Sequence, residues 1–321
     1  MHPINWLCLQ TVHWRGAIMN TDTRITIFGG TGFIGQAIVH ALLESHTETT
    51  IIIASRSKPR QSLKHPRIQT ITINQQEPLE SHSQLFSSST VINCVGLLYE
   101  QAHNTFEHAH VKLPKQIAEA CSRYDVKNFI HLSALGADIE SASEYARTKA
   151  MGEACCQQAF PKVIIMRPSV VFGPQDKFIN RFHDMSTWSL ALPAIGGGCT
   201  NMQPIYVADL VTCIQTCIQH PKPYQQHIYE MGGPDILTFK DILKLILKTS
   251  GRRRLIIPIP FWAAGPLAKM TQHFMPWLLT YDQVVLLEQD NIVTDKQHNQ
   301  NTFNIKTQSL KSILKSYSFC K

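Results

Sequence analysis

Tyr145 and Lys149 stand four residues apart in "EYARTKAMGE", a spacing that puts both on one face of a helix. A phenol beside an ammonium can pass a proton to or from a carbonyl or alcohol, because the nearby charge favours the phenolate. The same ammonium can hold a ribose hydroxyl. A second group lies near the start, where Gly29, Gly32 and Gly35 of "ITIFGGTGFIG" are spaced GxxGxxG and Gly30 adds a GxGxxG register. Glycines at such a turn let main-chain N–H groups approach a pyrophosphate, and a helix N-terminus adds partial positive charge. Thr31, Phe33 and Ile34 complete the turn, so residues 29 to 35 are expected to line a dinucleotide. A third feature closes the next β-branched run, "TIIIASRSK", where an NAD-selective site would carry Asp or Glu. Ser55, Arg56 and Lys58 stand there instead. A guanidinium suits a ribose 2′-phosphate, so NADP(H) is the favoured cofactor and NAD(H) the alternative.

Such groups need a scaffold that brings strand ends together. From Arg24 to about Val171 the chain alternates β-type runs ("RITIFGG", "TIIIASR", "IQTITIN", "TVINCVGLL", "KNFIHLSALG", "KVIIMRPSVVFG") with helical patterns. The helical patterns are "FIGQAIVHALLESH", residues 114 to 124 and residues 145 to 158. Near-continuous apolar strands between helices predict an α/β fold, a doubly wound parallel-sheet Rossmann fold with a small C-terminal α/β lobe. The expected division is an N-terminal extension over 1–22, disordered, a dinucleotide-binding core over 23–175, and a smaller lobe over 176–321 interleaved with it. In the lobe, "FKDILKLILKTSG" reads as an amphipathic helix ending at Gly251, and Ser309 to Lys315 as a last short one.

Composition narrows the function classes. With 44% hydrophobic and 17% charged residues over 321 positions, the chain has ample material for a core. The net charge of +7 is spread out apart from Arg252, Arg253 and Arg254, so no nucleic-acid partner is expected. Nine cysteines show no CxxC pair and fifteen histidines no HxxxH pair, so no metal is expected, and His108 and His110 read as exposed. The short apolar run "WLCLQTV" lacks the features of a secretory signal, and no apolar run reaches the ~18 residues of a membrane span. A cytoplasmic protein is the expectation.

Taken together, "GGTGFIG", "NCVG", "HLSALG", "YARTK" and "RPSVVFGP" resemble the extended and atypical short-chain dehydrogenase/reductase superfamily, the NAD-dependent epimerase/dehydratase-like group. A narrower resemblance runs through "FIHLSALGA", "SEYARTKAMGE", "RPSVVFGPQDKFINRF", "MQPIYVADL" and "LIIPIPFWAAGPLAKM". These are similar to the NADPH-binding Rossmann accessory subunit of respiratory complex I and its bacterial relatives. The resemblance implies that Asn93, Cys94, Val95 and Gly96 line the cofactor, with Pro168 beside the nicotinamide, and that Tyr145, Lys149 and Ser133 form the catalytic set. Active members carry a Ser or Thr two residues after the position of Ser133, where this chain has Leu135. Loss of such a donor costs on the order of 10²–10³ in rate. The third strand ends "ITINQQ" instead of Gly-Asp, leaving Asn74 as the polar substitute near the adenine.

Two functions follow from the resemblance. One is NADP(H) binding with weak or no turnover; the alternative is an active NAD(P)-dependent reductase, epimerase or dehydratase using Tyr145 and Lys149. Respiratory complex I or a membrane surface is the implied partner, with peripheral attachment at the inner membrane face. The basic triplet and the apolar, Trp-containing segment after it either meet that partner or cover the substrate pocket.

Overall fold

The computed structural model describes residues 24–45, 48–56, 63–74, 77–101, 104–272, 274–275, 278–294 and 299–317. The N-terminal extension and Lys58 lie outside the described residues. Strands β1 (Arg24–Phe28), β2 (Thr50–Ser55), β3 (Ile68–Thr72), β4 (Thr90–Asn93), β5 (Asn128–Leu132) and β6 (Ile164–Pro168) are the six expected from the sequence. β7 (Val171–Phe172), β8 (Ala191–Ile195), β9 (Asn201–Met202), β10 (Ile205–Tyr206) and β11 (Ile228–Met231) follow, and of these β11 is a main-sheet strand that the sequence did not announce. β11 pairs in parallel with β6 and makes the main sheet seven-stranded, in the order β11-β6-β5-β4-β1-β2-β3. All its neighbours are parallel. "IYEM" is short and mixed, and only its pairing with β6 identifies it.

Alternation along each strand feeds two cores. Ile25, Ile27, Ile51, Ile53, Ile92 and Ile130 face one side, packed by helices α1 (Phe33–Ser45) and, later in the chain, α5 (Val207–Gln219). Phe28, Ile52, Val91 and Phe129 face the other side, under α2 (Leu113–Arg123) and α3 (Glu144–Ala159). Each fully buried side chain of this kind contributes about 1.5–3 kcal/mol, which is why these runs form interior strands. A π-helical turn at Glu107–Lys112 leads into α2.

The order of strands reverses between β1 and β4, so their exits diverge at the carboxyl edge and leave a crevice there. Beyond β7, helix α4 (Ile179–Trp188) begins the C-terminal lobe. The lobe contains small sheets in which β13 (Leu255–Ile259) pairs with β8 and β12 (Leu237–Thr238) with β9. Helices α6 (Phe239–Thr249), α7 (Phe261–Thr271) and α8 (Tyr281–Leu287) complete it. The tail runs back to the core, where α9 (Leu310–Leu314) buries Leu310 and Leu314 and the Gln308 N–H donates to Asp209 at 2.7 Å.

Candidate functional site

The glycine turn follows β1 at the carboxyl edge. Gly29 has φ +79, a left-handed backbone, and a Cβ there would lie 3.0 Å from the Cys94 carbonyl carbon. Gly32 N–H donates to the Gly29 carbonyl at 2.9 Å, and Gln36 Nε2 donates to the Thr31 carbonyl at 2.7 Å. Gly35, in the first turn of α1, passes so close that a Cβ would sit 2.2 Å from the Gly29 oxygen. Phe33 and Ile34 open α1 and pack partly buried on the core. The N-terminus of α1 is thereby held at the crevice with backbone in place of side chains around it.

Ser55 ends β2 and is buried, whereas Arg56 is exposed and its guanidinium donates to Asn104 Oδ1. Asn104 is itself fixed by a backbone bridge to Gln101. Asn74 is exposed and its amide donates to Glu77 at 3.4 Å.

The exits of β4 and β5 build the other end. Asn93 is fully buried; its side-chain Oδ1 accepts from Val95 N–H at 3.1 Å and its Nδ2 donates to His131 Nδ1 at 3.1 Å. That contact assigns the His131 proton to Nε2, and burial pulls the imidazole down to about 3, with Lys149 adding to the fall. Lys149 is 4% exposed and Nζ donates to the Leu132 carbonyl at 3.3 Å. A Cβ on Gly96 would lie 3.4 Å from that Nζ, so the β4 exit and α3 meet there. Burial pulls Lys149 down to about 8 against the raising influence of Glu153. Glu153 is in turn clamped by Arg167 through two hydrogen bonds of 2.9 and 2.6 Å. Ser133 Oγ is buried and has no hydrogen-bond partner among the described residues. Pro168 ends β6, and its carbonyl accepts from Leu135 N–H at 2.9 Å. Leu135 is a buried apolar side chain.

Tyr145 is partly exposed, with its ring edge-on to His110 at 5.2 Å and to Phe106 at 5.9 Å. Burial pushes its phenol up to about 12, and the Asp282 carboxylate adds to the rise. The lowering expected beside Lys149 is therefore not what the fold produces: the cost of burying a phenolate wins.

With this geometry in view, the known proteins are informative. The sequence pattern of the NAD dependent epimerase/dehydratase family matches residues 25–232. The chain belongs to that family. Within it, the chain is 31% identical over 269 residues to the mouse protein "NADH dehydrogenase (ubiquinone) 1 alpha subcomplex subunit 9, mitochondrial", spanning 81% of this chain and 70% of that one. The subunit of that name from Arabidopsis thaliana is 26% identical over 84% of this chain and 71% of its own length. Ceramide reductase of Caulobacter vibrioides is 27% identical over 55% of this chain and 56% of its own. Among solved structures, the dTDP-glucose 4,6-dehydratase of Bacillus anthracis in complex with NAD aligns with a TM-score of 0.67 at 17% identity, covering 92% of this chain and 94% of that one. The UDP-glucose 4-epimerase of Thermotoga maritima aligns with a TM-score of 0.69 at 17% identity, covering 91% and 96%. At that identity the structural likeness speaks for the fold.

The fold of this epimerase/dehydratase-family protein brings Gly96 to Lys149 Nζ, which bonds the carbonyl just before Ser133, with Tyr145 one turn back on the same helix, while Arg56 is held by Asn104. It also adds residues that the sequence reading passed over. His110, expected exposed, is 1% exposed. Its Nε2 accepts from Leu97 N–H at 3.0 Å, so Nδ1 carries the proton and donates to Thr148 at 3.1 Å. Burial, with Lys149 next, pulls His110 down to about 2. The signal was there in Phe106, Ala109 and Leu113, whose helical spacing turns position 110 inward beside them. Asp282 accepts from Ser143 Oγ at 2.9 Å, Glu144 N–H at 2.6 Å and Tyr145 N–H at 3.3 Å. Nothing local announced it.

Of the basic triplet, Arg252 and Arg254 are tied within the lobe to His183 and Ser186, and large apolar side chains of the lobe stand outside. Trp262 is 81% exposed and Phe274 is 82% exposed, while Leu190 and Trp188 are 79% and 70% exposed. Phe261 packs against Gly196 inside the lobe. No helix among the described residues is long and apolar enough to cross a membrane.

Proposed function

We propose that this chain binds NADP(H) with weak or no turnover, as a relative of the complex I accessory subunit. The single observation that carries dinucleotide binding is the glycine turn at the head of α1, where the left-handed Gly29 and the close passage of Gly35 admit no side chain and leave main-chain groups facing the helix N-terminus. The residues fit a dinucleotide along its length. Gly29, Thr31, Gly32, Phe33, Ile34 and Gly35 receive the phosphates, with Ser55 and Arg56 at the 2′-phosphate. Asn93, Cys94, Val95 and Gly96 form the floor, and Lys149 holds the nicotinamide ribose beside Pro168. Lys149 spends one donor on Leu132 and retains two for ribose oxygens. The cofactor, once bound, would supply hydride chemistry; this chain's part is to bind and orient it.

Weak turnover is supported by two features of the nicotinamide end. Leu135 offers no donor to a developing oxyanion, and the Tyr145 phenol is raised when proton abstraction needs it lowered. The exposed face around Trp262 supports a partner, and the named relatives point to a respiratory assembly at a membrane surface.

A second reading, an active reductase, epimerase or dehydratase, is favoured by the unpartnered Ser133 hydroxyl, which with Tyr145 could address a substrate carbonyl. Nucleotide released from the purified protein, identified by mass spectrometry, and titrations with NADPH and NADH test the first reading. Arg56→Ala is expected to weaken NADPH by about tenfold and leave NADH unchanged. Recovery of NAD alone, with no effect of Arg56→Ala, would overturn the NADP(H) assignment. Rapid oxidation of bound NADPH by one carbonyl substrate would decide for the second reading.

A further inference from the structure

We propose that Asp282 is a positioning residue for Tyr145, and that through it the C-terminal lobe takes part in holding the nicotinamide half of the cofactor. The inference rests on the proposed function and adds to it a residue and a region from outside the sequence motifs.

An α-helix begins with N–H groups that have no partner inside the helix. In α3, Ser143 is the cap, its Oγ accepting from Ala146 N–H at 3.2 Å, and its carbonyl accepts from Arg147 N–H at 3.0 Å. The N–H groups of Glu144 and Tyr145 remain, and the Asp282 carboxylate takes both. Its Oδ2 also receives the Ser143 hydroxyl proton, so one side chain organises both the cap and the first turn. A carboxylate at that end is further stabilised by the helix dipole. Tyr145 lies in this first turn and Lys149 one turn on, so displacement of the turn moves the phenol and the ammonium together.

The lobe grips the opposite wall as well. Gln283, next to Asp282, caps its own helix with Thr280 and extends its amide to the Leu98 carbonyl at 3.4 Å, just beyond the Asn93–Gly96 exit. Helix α8 rests on α7, where Gly265 admits the Tyr281 ring at 3.5 Å from its would-be Cβ and Lys269 sits 4.5 Å over that ring. Both walls of the nicotinamide end are thus tied to one hairpin of the lobe, whose outer side carries Trp262 and Met270.

The full-length protein carrying Asp282→Asn tests this. The amide keeps the shape but points a donor at groups that donate. NADPH is expected to bind about tenfold more weakly, while 2′,5′-ADP, which lacks the nicotinamide half, binds as before. Asp282→Glu is expected to recover part of the loss. Unchanged 2′,5′-ADP binding also certifies that the Rossmann half is folded. Equal losses for both ligands, or no loss of NADPH affinity, would overturn the proposal. If the wild type prefers NADH, only the Arg56 assignment falls, and NADH against ADP becomes the pair that reads Asp282. A wild type that binds no dinucleotide overturns both readings.

Discussion

The Rossmann sheet buries polar groups at its carboxyl edge, whereas the C-terminal lobe turns large apolar ones outward. Lys149, Asn93, His110, His131 and Ser133 are all buried, and Trp188, Leu190, Trp262 and Phe274 are all exposed. Each arrangement is costly taken alone, since an interior amine or hydroxyl gives up water and an exposed indole orders it. A fold that tolerates both divides its surfaces: polar groups are kept inside the sheet edge, and large apolar groups are carried on the outside of the lobe.

The sharpest way to break that division is at the glycine turn. Gly35→Val places methyl groups where a single Cβ already meets the Gly29 oxygen at 2.2 Å, and NADPH affinity is expected to fall by at least about 100-fold in a fluorescence titration. Lys149→Met comes next, with an expected loss of about 10- to 100-fold. The cofactor-free variant should melt no lower than the wild type, because a buried amine costs more than a thioether. Without substitution, raising the pH through about 8 deprotonates Lys149, so NADPH affinity should weaken between pH 7 and 9.5.

Acid addresses the buried histidines. Their ordinary value is 6.5, and the fold holds His110 at about 2 and His131 at about 3. Below pH 6.5 the unfolded chain binds protons that the native state refuses, so stability is full above that pH and is lost as pH falls toward 3. Urea unfolding at pH 7 and 4.5 should differ by on the order of 2 kcal/mol less in His131→Gln than in the wild type. The smallest effect is expected on the lobe: Trp262→Asp should leave NADPH affinity within about twofold, because the side chain touches solvent and not the crevice. A large loss there would show that the outer face of the lobe and the crevice are not independent.

What was readable in the sequence was local. Gly29 to Gly35 are neighbours in the chain, Tyr145 and Lys149 are one helical turn apart, and the six long apolar runs announce their strands. The sheet type, the carboxyl-edge crevice and the family all follow from such short-range patterns. The unread features depend on pairing at a distance. β11 is a strand because β6 lies beside it, and Asn291 matters because its amide reaches the Leu135 carbonyl at 3.3 Å while its Oδ1 accepts from Ser169 at 2.5 Å. Local pattern also misjudged energies: it paired Tyr145 with Lys149 and left out the burial that dominates both groups.

The cap on α3 also has a consequence in time. Asp282 follows Tyr145 by 137 residues. At roughly 5–20 residues per second, a ribosome needs about 7–27 s to make that stretch, and more before residue 282 clears the exit tunnel. During that interval the strands through β6 and then β11 can assemble, while the first turn of α3 waits with two N–H groups unmet. The cap on the first turn of α3 can therefore close only after the strands of the main sheet have been made.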